Sequence, residues 1–367
     1  MPLQPRKAVL NLAPGIHGGY DQEELETLGI EPDEVIDFSV CTNPAGIPPG
    51  ILRQVSIKDL SRYPDSRSTC LRRKIACING VSEKYVLVCS GSTEIIRLAV
   101  TAYLEEGDKA LIVEPTYGEY RLASEIAGAE VKMFITLEKD DFRPDIDALA
   151  DRIKTEKPKV LFLCNPNNPT GYYLKRDELV KILSAASGSL VVLDEAYISF
   201  VDRAWLSTGY IDGNNLLIVR SMTKDYAIAG LRLGYAIAEE GIISMLSRVC
   251  PPWNVNVVAQ QAGITALQNK RYLEKSRELV FREKKYLVTS LGKLGFRCVP
   301  SDANYFLVKV NNAAGFRKRL LVSGRILVRD CTSFGLPEYI RIAPRSHNQN
   351  RKLITAIKEL VNDRQRK

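Results

Sequence analysis

Residues 159–197 read "KVLFLCNPNNPTGYYLKRDELVKILSAASGSLVVLDEAY". The apolar run "VLFLC" (160–164) is unbroken and stops at "NPNNPTG", a cluster of turn-forming residues. "KRDELVKILSAAS" (175–187) then sets its apolar residues at helical spacing. "LVVLDEA" (190–196) opens on a second unbroken apolar run. Strands without polar alternation are buried on both faces, and two of them joined by a helix run parallel. The segment therefore predicts one strand–helix–strand unit of a sheet covered on both sides.

The same pattern extends outward in both directions. "KYVLVCSG" (84–91), "KALIVEP" (109–115), "EVKMFITL" (130–137), "NLLIVRS" (215–221) and "LRLGYAIA" (231–238) read as further strands. Helix-length stretches such as "STEIIRLAVTAYLEEG" (92–107) lie between them. The expected class is α/β, a mostly parallel sheet with helices on both faces. Ligands of such sheets bind beyond the carboxyl ends of the strands, so function is sought in the strand tails. After residue 255 the texture changes. One long helical stretch is expected over 257–295, then short strands at "FRCVPS" (296–301), "NYFLVKV" (304–310) and "ILVRDC" (326–331), and a last helix at 348–363. The expected division is an N-terminal arm over 1–48 that completes the smaller domain. A large α/β domain follows over 49–265, and a small α+β domain over 266–367.

Composition narrows the function classes. The chain has 367 residues, 45% hydrophobic and 26% charged, as in ordinary soluble globular proteins. No apolar stretch approaches the roughly 20 residues of a membrane helix, and the apolar patch near the N-terminus is too short and too broken for a signal peptide. No membrane role and a cytoplasmic setting are the expectations. The net charge of +8 is scattered and does not interleave with aromatics, so nucleic acid is not an expected partner. A small anionic substrate suits the charge. The eight cysteines form no C-x-x-C pair and the histidines are two, so no metal motif is present.

The strand tails are "SGSTE" (90–94), "EPTYGEY" (114–120), "CNPNNPTG" (164–171), "DEAY" (194–197), "SMTK" (221–224) and "GLRLGY" (230–235). In order and spacing they resemble the fold-type I, aspartate-aminotransferase-like family of enzymes that use pyridoxal 5'-phosphate (PLP). The resemblance covers nearly the whole chain. It implies that Lys224 holds the cofactor covalently and that Asp194 faces the ring nitrogen, which must stay protonated for the ring to withdraw electrons. Asn168 and Tyr197 would hydrogen-bond the ring oxygen, and Tyr117 would stack on the ring. Ser92 and Thr93 open a helix, whose N-terminus favours an anion. With Ser221, Thr223 and Arg232 they would hold the cofactor phosphate. Tyr63, in "SRYPD", is similar to a tyrosine that reaches the phosphate of a neighbouring subunit, which implies a homodimer; a plain turn is the competing reading.

Two branches of the family compete for the reaction, the histidinol-phosphate aminotransferases and the threonine-phosphate decarboxylases of cobalamin biosynthesis. Both act on a small phosphorylated amino compound. "HGGYDQEELETLGIEPDEVIDFSVCTNPAGIP" (17–48) and "CPPWNVNVVAQ" (250–260) resemble the decarboxylases, so decarboxylation of threonine phosphate is the expected reaction, with serine phosphate a near neighbour. Arg345 is similar to the arginine that meets the substrate's α-carboxylate, and Arg329 to the one that meets its phosphate. His17 and Asn43 complete the expected substrate contacts. Arg341 fits a strand nearby, with a structural salt bridge as its competing role. Cys41 and Tyr20 stand where the decarboxylases carry Asn.

Overall fold

Alternate side chains of the central strands feed two separate cores. In β5 (Val160–Cys164), Val160 and Phe162 enter one hydrophobic cluster while Leu161 and Leu163 enter another. β6 (Leu190–Asp194) and β7 (Leu216–Ser221) divide in the same way, Val192 and Leu217 to one side, Val191 and Leu216 to the other. That is the two-unit side-chain period of a strand buried on both faces, and it is why these runs carry no polar alternation. The helices Ser92–Tyr103 and Glu119–Ala127 cover one face, and Ile146–Glu156 and Arg176–Ala185 cover the other.

The computed structural model describes Leu3, residues 5–10, Leu12, residues 15–51 and residues 60–365. Residues 52–59, within the expected large domain, lie outside the described residues. β2 (Val86–Cys89), β3 (Lys109–Glu114), β4 (Glu130–Ile135) and β8 (Gly234–Ile237) complete a seven-stranded sheet of order β2-β8-β7-β6-β5-β3-β4. Only β8 runs against its neighbours. All seven strands read from the sequence are present. The fold is that of the fold-type I PLP enzymes, mixed α/β with a mostly parallel sheet.

A second unit is built on β9 (Phe306–Lys309), β11 (Arg329–Asp330) and β12 (Tyr339–Ile342), an antiparallel sheet of order β11-β12-β9. β1 (Ile36–Asp37) pairs in parallel with β10 (Ile326–Leu327), so the N-terminal segment joins this unit. Three expectations from the sequence need correction. "ILVRDC" is not one strand: its halves pair with different partners on either side of Val328. "FRCVPS" contributes a single bridge, Cys298 to Val308. The long helical stretch is two helices, Val257–Ala266 and Lys270–Lys293, separated by a turn at Leu267–Asn269. Tyr272 packs with the cluster against the seven-stranded sheet, whereas Leu287 and Leu291 belong to the core of the second unit. The change of core thus falls along one helix.

Two glycines bring the sheet edge against the helix N-terminus. Gly91, with φ +82°, turns the chain from β2 into Ser92–Tyr103. Gly234 lies against it: a Cβ there would come within 2.8 Å of the Arg220 carbonyl oxygen and 2.9 Å of the Ser92 amide nitrogen. Both obstacles are backbone and cannot rotate away. Gly234→Ala should therefore lower stability by about 1–3 kcal/mol, read as a lower denaturant midpoint at unchanged m-value. A midpoint equal to wild type would show that the turn yields freely.

Candidate active site

The carboxyl ends of β5, β6 and β7 open into a cavity of about 1090 Å³. Lys224, Asp194, Asn168, Tyr197 and Tyr117 all line it. Lys224 sits in a four-residue helix, Met222–Asp225, that directly continues β7. Burial, assisted by the positive charges of Arg341, Arg232 and Arg345, holds its ammonium below the usual lysine range. Asp194 closes β6 and is buried. The Tyr120 hydroxyl donates to Asp194 Oδ2 at 2.7 Å and the Ala196 amide to Oδ1 at 3.0 Å. Burial outweighs these two bonds and pushes the carboxyl pKa up to about 6. Tyr197 is buried and edge-on to Tyr305, with its phenol well above the usual range through burial.

Ser92, Thr93, Ser221, Thr223 and Arg232 line the same cavity. Ser92 begins its helix without a side-chain cap, so the first amides lack a side-chain acceptor. Gly91 has a second reason to be glycine here, because a Cβ would lie 2.9 Å from an Arg232 guanidinium nitrogen. The Thr93 hydroxyl meets the Tyr117 hydroxyl at 3.3 Å. Hydroxyls, helix amides and a guanidinium form a cradle for a phosphate-sized dianion. The donor set fits PLP: an amine for the aldehyde, a buried carboxylate for the ring nitrogen, and an anion cradle.

The substrate-side assignments change. Arg341, not Arg345, faces the cavity. Arg341 is 5% exposed; it donates to Asn168 Oδ1, and to the Ser39 carbonyl at 2.7 Å, while its Nε has no partner among the described residues. It makes no salt bridge among the described residues, so the competing structural role falls away as well. The Arg345 guanidinium is consumed by the backbone, donating to the carbonyls of Asp37 at 2.5 Å and Val40 at 2.9 Å and to the Thr42 hydroxyl at 3.1 Å. Asn43 is likewise withdrawn from the pocket. Its amide donates to the Asp225 carbonyl at 2.8 Å and its backbone N–H to the Lys224 carbonyl at 3.1 Å, so it braces the lysine from behind.

Arg329 does line the cavity, paired across β11–β12 directly opposite Arg341. It donates to the carbonyls of His17 and Ile16, both at 2.8 Å, and to the Ser333 hydroxyl at 2.7 Å. His17 reaches the cavity too, with Nε2 3.3 Å from Glu119 Oε1. Tyr63 does not line this chain's cavity. It is 78% exposed and stacks on Trp253 at 4.4 Å between ring centroids. Sequence reasoning passed over Tyr120, although it lies in the quoted "EPTYGEY"; its role follows only from the packing that places it over Phe162 beside Asp194.

The model of the family described as "Aminotransferase class I and II" matches residues 34–357. The chain belongs to the class I and II aminotransferase family. PLP is the cofactor of that family. A histidinol-phosphate aminotransferase of Moorella thermoacetica is 32% identical over 363 residues, covering 97% of this chain and 92% of that protein. Another, from Caldanaerobacter subterraneus subsp. tengcongensis, is 35% identical over 302 residues, 82% of this chain and 84% of that protein. Among solved structures, a histidinol-phosphate aminotransferase from Clostridium acetobutylicum superposes with TM-score 0.83 at 29% identity, covering 90% of this chain and all of that one. L-threonine-O-3-phosphate decarboxylase from Porphyromonas gingivalis superposes with TM-score 0.80 at 28% identity, covering 89% and 100%.

The elevated pKa of Asp194 has a stability consequence in cofactor-free protein. The folded carboxyl, at about 6, holds its proton to higher pH than an ordinary aspartate at 3.8. Ionisation therefore costs the folded state, with no cost below the ordinary value and the full cost above the folded one. The stability of wild type minus that of Asp194→Asn should fall by up to about 3 kcal/mol between pH 4 and pH 7 and then level off. Denaturant titrations of the two apoproteins across that range measure it. A difference that is flat with pH would mean the carboxylate is better solvated than its burial indicates.

Proposed function

We propose that the protein is a PLP-dependent aminotransferase of the histidinol-phosphate type, moving an amine between a small phosphorylated amino alcohol and a dicarboxylic 2-oxo acid. The observation that carries this reading is Arg341, buried, unpartnered at Nε and opposed by Arg329 in the same cavity. An aminotransferase admits two different substrates in turn. Glutamate offers two carboxylates to two arginines, and histidinol phosphate offers a phosphate in place of the α-carboxylate. A fork-shaped guanidinium accepts either anion. The full-length similarity to histidinol-phosphate aminotransferases supports this choice over the decarboxylase reading drawn from the N-terminal segment.

In this reading PLP supplies, when bound, an electron sink that stabilises negative charge at the substrate Cα. Lys224 would hold the cofactor, and its amine, whose burial and cationic neighbours disfavour the ammonium form, is suited to move the proton at Cα. Asp194 keeps the ring nitrogen protonated, a cation that in turn favours the ionised carboxylate. Asn168 and Tyr197 serve the ring oxygen. Ser92, Thr93, Ser221, Thr223 and Arg232 hold the phosphate.

A second reading, decarboxylation of threonine phosphate, is favoured by one specific feature. The arm around His17-Gly18-Gly19 is seated at the cavity through Arg329 and Glu119. A Cβ on Gly18 would meet the Ser39 carbonyl oxygen at 2.9 Å, so the close seating requires glycine. Serine phosphate differs from threonine phosphate by one methyl, worth about 1–3 kcal/mol in a pocket. Glutamate-dependent and CO₂-releasing turnover should be measured side by side on histidinol phosphate, threonine phosphate and serine phosphate. Transamination of histidinol phosphate should dominate, and Arg341→Ala should lower its kcat/KM about 10–150-fold, the loss of one charge-assisted contact worth about 1.5–3 kcal/mol. CO₂ release from either amino-acid phosphate without transamination would install the second reading.

We further propose a homodimer in which Tyr63 serves the cofactor phosphate of the partner subunit, since its exposed ring lies outside this chain's own cavity. Tyr63→Phe should release PLP faster on dialysis while leaving thermal stability within about 0.5 kcal/mol, as for a surface change. A protein that sediments as a fully active monomer would contradict this arrangement.

A further inference from the structure

One aromatic ring outside the cavity touches the groups that line it on two sides. Tyr305 is fully buried and does not line the cavity itself. Its hydroxyl donates to the Asn167 carbonyl at 3.0 Å, next to Asn168 and 138 positions away in sequence. The rings of Tyr305 and Tyr197 meet at 80°, 4.8 Å between centroids, and the Arg341 guanidinium carbon lies 5.3 Å from the Tyr305 centroid. A phenylalanine would fill the same space, so packing alone does not require the hydroxyl. Burial holds the phenol well above its usual range, which keeps the proton in place and the hydroxyl a donor.

The turn that carries Tyr305 is fixed from both sides. Lys284, on the helix Lys270–Lys293, donates to the carbonyls of Ser301 and Ala303, both at 2.7 Å. On the other side the Asp302 N–H donates to the Gly171 carbonyl at 2.9 Å. Gly171 has φ +78°, and a Cβ there would fall 1.9 Å from Ser301 Oγ, so the two loops meet at backbone distance. The loop that carries Asn168 is thus docked on this turn at two points, by Asp302 at Gly171 and by Tyr305 at Asn167.

We propose that Tyr305 is a positioning residue for the reaction, holding Asn168 through the Asn167 carbonyl and holding Tyr197 and Arg341 through its ring, with Lys284 fixing the turn from which it acts. Hydroxyl and ring divide the work. The hydroxyl governs the cofactor side, because it fixes the backbone beside Asn168. The ring governs the substrate side as well, through a cation–π contact to Arg341, whose Nε has no partner among the described residues. Tyr305 immediately precedes β9, where Leu307 pairs with Arg341 across the ladder, so ring and guanidinium are held by the same two strands. The inference rests on the roles given above to Asn168 and Arg341.

The test compares full-length, PLP-loaded wild type with Tyr305→Phe, Tyr305→Leu and Lys284→Met. Three quantities are read: amide hydrogen exchange, the pH midpoint of the cofactor absorbance, and the Kd of inorganic phosphate as a non-reacting anion. Tyr305→Phe should exchange the amides of residues 167–172 at least about fivefold faster, the effect of one lost hydrogen bond. It should shift the absorbance midpoint by at least about 0.5 pH unit, with the phosphate Kd within about twofold of wild type. Tyr305→Leu should in addition weaken phosphate at least about fivefold, because Arg341 loses its aromatic face. Lys284→Met should reproduce the Tyr305→Phe pattern, and these two variants decide the matter if Tyr305→Leu does not fold. None of the three readouts depends on which reaction the enzyme catalyses. Unchanged exchange over residues 167–172 in both Tyr305→Phe and Lys284→Met, or phosphate weakened as much by Tyr305→Phe as by Tyr305→Leu, would overturn the proposal. Faster exchange with an unmoved midpoint would support the brace and count against the ring-oxygen role of Asn168, so the two readings fail separately.

Discussion

The register of three parallel strands governs the chemistry of the site. Cys164 of β5 pairs with Asp194 of β6, and Asp194 pairs with Val219 of β7. Because side chains alternate, Asp194 shares a face with Val192, on the side where Phe162 and Tyr120 pack. A slip of one residue would turn the carboxylate toward the opposite cluster and leave the Tyr120 hydroxyl without its acceptor. The apolar residues on both faces forbid that slip, since each strand would exchange its two cores. The placement of Asp194 is thus inherited from burial on two sides.

The strand ends solve a second problem, that of holding reactive groups out of water without orphaning the backbone. The helices Ser92–Tyr103 and Met222–Asp225 both begin at strand ends, with only Ser90 and Gly91 intervening in the first case. The hydroxyl-bearing residues Ser92, Thr93, Ser221 and Thr223 line the same cavity, beside the uncapped N-terminus of Ser92–Tyr103, whereas the Met222 and Thr223 amides donate to the Leu233 carbonyl at 3.0 and 3.2 Å. An anion there is stabilised by aligned dipoles as well as by Arg232. Asn43 adds a brace from a distant part of the chain, fixing the backbone of Lys224 and Asp225 through two hydrogen bonds. Its side chain has therefore exchanged pocket chemistry for support.

The sequence made the large sheet legible because its signal is local: β2, β3, β5, β6 and β7 are each an apolar run closed by a polar tail, and these tails reach the cavity. The cofactor-side residues were legible for the same reason. The substrate side was not. Arg341 and Arg345 lie four residues apart on either side of a strand end, and sequence alone could not tell which guanidinium turns inward. Their fates are settled by partners 173 to 308 residues away in the chain, the Asp37–Thr42 segment for Arg345 and Asn168 with Ser39 for Arg341. The split of "ILVRDC" between two sheets has the same origin, because β1, its partner on one side, comes from the other end of the chain. Where a contact is set by long-range pairing, no local period announces it.

The choice of partners for the two cavity arginines also bears on how an anion can enter. Arg329 and Arg341 sit directly opposite each other in register, a placement that costs free energy for like charges. Burial lowers the Arg329 pKa, and the neighbouring Arg341 lowers it further. A carboxylate on either would relieve the strain, yet among the described residues neither has one. Arg329 is held by the His17 and Ile16 carbonyls and a serine hydroxyl, and Arg341 by a side-chain amide and a carbonyl. Neutral acceptors engage guanidinium N–H groups of both residues without cancelling the charge, whereas a protein carboxylate would both cancel it and compete with an incoming anion. A phosphate or carboxylate bound between the two guanidiniums would relieve their repulsion. In the proposed reading, part of the substrate's binding energy would then come from the β11–β12 register as well as from the two residues themselves.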